Sequence, residues 1–135
     1  MSSLEGLGKI LLLIKLDAES VFRRIKFRQN EYIRTMSLKR TREHLKDVFK
    51  SRYDGITIHD MKNFSEEIIM EIDRYYDEVE NLKWYLTHTE DMPTTVTDIT
   101  TQKIIILEKL FNSMKMYIEA ELSGIVPEKG NLNSL

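Results

Sequence analysis

Residues 53–61 read YDGITIHDM, and how they fold separates an all-helical chain from a mixed one. GITI at 55–58 offers a short strand, but no other stretch supplies it with a partner. The helical reading has more support. Asp54-Gly55 is a turn pair. Thr57 stands three residues before Asp60, an acidic variant of the capping box, and Ile56 and Met61 occupy the two positions of a hydrophobic staple. A helix therefore starts at Ile58.

Downstream of that start, Met61, Phe64, Ile68, Ile72, Tyr75, Val79, Leu82 and Leu86 recur at threes and fours. That spacing is nearly a heptad seam, about 45 Å long. Upstream, steps of about 100° put Leu4, Leu7, Leu11, Ile14, Ala18, Val21, Phe22, Ile25, Tyr32 and Met36 on one face of a first helix. Ser2 and Glu5 offer it a capping box. The phase then breaks, because Leu38, Leu45, Val48 and Phe49 fall on the side opposite Met36. A stop at Ser37 and a short second helix follow from that break.

THTEDMPTTVTDITTQ at 87–102 reads as a Thr-rich loop running into a last helix. Pro93 ends any continuation of the preceding helix, and Thr95 with Asp98 offers a new start. The last helix runs to about Leu122 and is expected to bury Val96, Ile99, Leu107, Leu110, Phe111, Met114, Tyr117, Ile118 and Leu122. Ser123-Gly124 stops it. The expected fold is all-α: an elongated up-and-down helical bundle of three long helices plus one short helix. It occupies residues 1–124, with 125–135 as a flexible C-terminal tail.

With 41% hydrophobic and 31% charged residues, a chain of 135 residues can bury a core and stay in solution. The most apolar stretch, GKILLLIKL at 8–16, has Lys9 and Lys15 around five apolar residues, far short of the roughly 20 a membrane span needs. No small-residue cleavage site follows it. Cysteine is absent, which excludes disulfides and thiolate zinc sites. A cytoplasmic protein is expected.

Catalytic patterns are missing. There is no Gly-x-Ser-x-Gly, no phosphate-cradling glycine loop, and no Glu-x-x-His of the kind a di-metal bundle uses. Glu67 and Glu71 share a face that reads as a solvated acidic strip. His44, His59 and His88 stand without the neighbours that phosphotransfer chemistry would need. No enzyme activity, metal, cofactor or small-molecule substrate is expected.

Charge is more informative. Residues 1–53 carry +7 and residues 54–135 carry −9, within a net charge of −2. Residues 23–52 alone hold eleven Lys and Arg against three acids. Such polarity points to charged partners. Leu12, Leu13, Leu16 and Phe27 lie opposite the apolar stripe of the first helix, and Trp84 and Tyr85 lie off the stripe of the central one. A helix apolar on two sides is either central in its bundle or covered by something else. These six residues are candidate contacts for a protein partner or a second copy. The expected function is a non-enzymatic protein–protein interaction module: an adaptor, chaperone-like or assembly protein, self-associating, with oppositely charged faces. The alternative is a nucleic-acid-binding bundle in which Arg23, Arg24, Lys26, Arg28, Lys39, Arg40 and Arg42 contact phosphates.

Overall fold

A computed structural model of the chain describes residues 2–29, 42 and 45–124, with side chains from residue 6. Every regular element among them is helical. Helix α1 spans Ser2–Phe27, α2 Leu45–Val48, α3 Ile58–Met61, α4 Glu66–His88 and α5 Pro93–Gly124. A single 3-10 turn, Tyr53–Gly55, precedes α3. The all-α bundle with three long helices is as expected. The Ser37 break, Tyr32, Met36, Leu38 and the tail lie outside the described residues, and the Ser2–Glu5 box outside the described side chains.

The stripe of α1 is buried at Leu11, Ile14, Ala18, Val21 and Ile25. At α3 the Thr57 hydroxyl accepts from the Asp60 N–H at 3.1 Å, while the Asp60 carboxylate accepts from the Thr57 N–H at 3.0 Å. Both halves of the capping box are present. The Thr57 N–H, and then the Thr57 hydroxyl, donate to the Asp60 carboxylate and hold it below its ordinary range.

The helix begun at Ile58 does not run on. Ser65 is extended, and its Oγ accepts from the Ile68 N–H at 3.3 Å, so a second cap starts α4 behind two acidic residues, Glu66 and Glu67. One expected helix is therefore two. Phe64 still turns into the core, and the stripe from Ile68 to Leu86 is buried as spaced.

No helix continues through Pro93, as expected, since α4 ends at His88, but Pro93 does more than end one. It opens α5, where its missing N–H is no loss and its fixed φ suits the first turn. The Val96 N–H donates to the Met92 carbonyl at 2.9 Å, so the helix starts ahead of the Thr95–Asp98 pair. Val96, Thr100, Ile104, Leu107, Phe111, Met114 and Ile118 are buried. Tyr117, expected inside, is 39% exposed because it sits about 95° off the centre of that stripe.

Helix α5 packs along both α4 and α1. Lys15 pairs with Glu119 at 3.0 Å and Lys26 with Glu108 at 3.4 Å, so α1 and α5 run in opposite directions. The short connection at 89–92 makes α4 antiparallel to α5 as well. Helices α1 and α4 thus run parallel, and α2, packed on both, fills the space between them with Leu45, Val48 and Phe49. Tyr75, fully buried, reaches across to donate to the Ala18 carbonyl at 2.8 Å. Phe111 stacks on Phe22 at 5.4 Å from the α5 side.

Candidate protein-interaction surface

The segment that joins α2 to α3 is clipped in place by one carboxylate. Asp17, on α1, is buried and accepts from the Ser51 hydroxyl at 2.6 Å, the Arg52 backbone N–H at 2.8 Å and the Tyr76 hydroxyl at 2.7 Å. A buried carboxylate is tolerable only with such partners. Burial, and then the bond to Asp17, push the Tyr76 phenol far above its ordinary range. Burial, with the Asp17 charge second, does the same to Tyr75.

Tyr53 follows directly from this clip. Its ring stacks on Tyr76 with centroids 3.9 Å apart and planes within 3°. Burial, and then the charges of Asp73 and Asp54, raise its pKa. The ring forms a ridge with an apolar groove on each side. The α1-side groove, about 220 Å³, is lined by Leu13, Ile14, Leu16 and Ile56, with Arg52 at its rim. The α4-side groove, about 340 Å³, is lined by Ile58, Met61, Ile69 and Met70, with Lys62 and Asp73 at its rim.

The six apolar candidates separate in space. Leu12, Leu13 and Leu16 are exposed together on α1, and two of them line the first groove. Phe27 is 76% exposed but lies three helical turns further along α1. Trp84 is 65% exposed on α4 and stacks on His88 at 4.5 Å. Tyr85 is half-buried against the core, and its hydroxyl donates to Asp91 at 2.7 Å. Ile58 and Met70, exposed beside Tyr53, were not among the candidates. No periodicity rule flags Ile58, because it sits in a helix of one turn.

The basic candidates separate too. The Arg24 guanidinium donates to the Val48 carbonyl at 3.2 Å, to Ser20 Oγ at 2.6 Å and to the Lys50 carbonyl. It caps the C-terminal end of α2, where a cation is favoured. Arg42 donates to the Thr87 carbonyl at 2.8 Å. Lys26 pairs with Glu108 and lies 5.8 Å from the centre of the Phe22 ring. Arg23 and Arg28 are exposed. Lys39 and Arg40 lie outside the described residues.

On α4, Asp73, Asp77 and Glu80 are exposed, whereas Glu71 is not part of a solvated strip. It is buried, accepting from Ser113 at 2.8 Å and pairing with Arg74 at 3.3 Å. Among the described residues no three side chains are grouped to hold a metal ion, and no helix is long and apolar enough to cross a membrane.

The chain shows no significant match to any protein-family model, curated protein or solved structure.

Proposed function

We propose that the chain is a non-enzymatic protein–protein interaction module, an adaptor, chaperone-like or assembly protein that associates with itself. The observation that carries the reading is the second apolar side of α1. Its core stripe is already buried, yet Leu12, Leu13 and Leu16 remain exposed together. Contiguous exposed apolar surface of this kind marks interaction sites. The charge polarity between the two halves orients the encounter and speeds it. Nucleic-acid binding is the weaker reading, because Arg24 and Arg42 already donate to backbone carbonyls and Lys26 already pairs with Glu108.

Sedimentation of the full chain carrying Phe27→Asp tests the extent of the surface. If the exposed apolar residues of α1 form one contact, the variant keeps the parent's circular dichroism and loses association. If the variant unfolds, Phe27 belongs to the core and is no part of a contact.

A further inference from the structure

The two grooves beside Tyr53 form one surface. Leu13 and Leu16 stand on its α1 side, Ile56 and Tyr53 in the middle, and Ile58 and Met70 on its α4 side. Ile58 is 89% exposed and Met70 57% exposed, so this face carries projecting aliphatic groups as well as hollows. A cavity of about 150 Å³ lined by aliphatic groups accepts a benzene ring. Either groove, at about 220 and 340 Å³, therefore has room for an aliphatic side chain. A face with both knobs and hollows meets the requirement for self-complementary pairing.

The rim charges choose how two such faces would meet. Arg52 borders the α1-side groove and Asp73 the α4-side groove, alongside Lys62. Helices α1 and α4 run parallel, and the Asp17–Tyr76 and Ala18–Tyr75 hydrogen bonds put residues near 17 on α1 level with residues near 75 on α4. A two-fold axis along the helices keeps these levels. It lays the α1 side of one copy on the α4 side of the other, with Leu13 and Leu16 toward Met70 and Ile58, and Arg52 toward Asp73. An axis across the helices would instead lay α1 on α1 and α4 on α4, keeping the Arg52 of each copy away from the Asp73 of the other.

We infer that a second copy of this chain docks on the Tyr53 ridge about a two-fold axis parallel to the helices. This rests on the interaction-module reading and names its partner. The apolar contact supplies affinity, and the two Arg52–Asp73 pairs fix the orientation.

Sedimentation equilibrium on the full chain tests it. The parent is expected to dimerise. Ile58→Asp is expected to weaken the dimer roughly 30-fold or more, the scale of losing a hot-spot residue. It should leave the fold intact, since Ile58 is exposed and an acid is favoured in the first turn of a helix. Arg52→Asp and Asp73→Arg are each expected to weaken the dimer alone, because each repeats like charges at both contacts. An equimolar mixture of the two variants is expected to recover it, since both contacts then pair unlike charges.

A parent chain that stays monomeric overturns the second-copy docking and the self-association in the proposed function, and leaves only an interaction module for a different partner. A dimer indifferent to Ile58→Asp and to mixing, but lost in Phe27→Asp, overturns this face and keeps the module reading. Unfolding of both Leu16→Asp and Ile58→Asp overturns the module reading itself.

Discussion

The Tyr76 hydroxyl donates to the Asp17 carboxylate across 2.7 Å, tying α4 to α1 through a buried charged group. The same carboxylate holds Ser51 and the Arg52 N–H, so three chain segments meet on it. The Tyr53 ridge depends on that junction.

Asp17→Ala should therefore cost about 3 kcal/mol or more, because it leaves several donors without an acceptor. Asp17→Asn, which keeps one acceptor oxygen, should cost less. Urea unfolding of both variants measures the difference. Equal stability to the parent would mean the junction is held elsewhere.

Alkaline pH should weaken the fold in a defined window. Tyr75 and Tyr76 have pKa values raised by burial, so the native state keeps their protons when the unfolded chain has released them. Their contribution is complete below about pH 10 and declines as pH rises above it, by about 1.4 kcal/mol per pH unit for each tyrosine. Denaturant unfolding up to about pH 11 should show this decline. Tyr75→Phe should reduce its slope.

Two separate caps should be measurable. Ser65→Ala should cost about 1 kcal/mol through the first turn of α4. Thr57→Ala should destabilise α3 and also relax part of the depression of the Asp60 pKa, since it removes the hydroxyl that donates to that carboxylate and keeps the backbone N–H. Stability from that carboxyl is present above about pH 4 and is lost as pH falls through its lowered folded value. The acid arm of the stability profile should thus move in Thr57→Ala and not in Ser65→Ala.

Arg24→Ala should lower stability by about 1–2 kcal/mol, since its guanidinium bonds carbonyls after α2. Fluorescent oligonucleotides, single-stranded and duplex, should show no anisotropy change with the parent even at low salt. Binding with a multi-ion salt slope that Arg23→Ala reduces would favour the phosphate reading instead.

Much of the fold was legible because its signals are local or periodic. Thr57 and Asp60 are three residues apart, and the seam from Phe64 to Leu86 holds its spacing through the chain. The break before Ser65 was hidden for the same reason: Met61, Phe64 and Ile68 keep their phase across it, so periodicity cannot see it. Pro93 carries one chemical fact, a missing N–H, that serves equally to end a helix or to begin one, and only the neighbouring packing selects between them.

The candidate surface was half legible. Leu12, Leu13 and Leu16 stand out as apolar residues on the wrong side of α1. Tyr53, Ile58 and Met70 join them only because Asp17 fixes the 51–53 segment between α1 and α4. That is a contact across 34 residues of chain, and neither spacing nor composition encodes it.

The most direct test is sedimentation equilibrium of the parent and Leu16→Asp, with thermal melts of both recorded alongside. The parent is expected to associate and Leu16→Asp to stay monomeric, with stability changed by no more than the about 0.5 kcal/mol typical of a surface substitution. A Leu16→Asp chain that unfolds, or that associates as the parent does, would contradict this expectation.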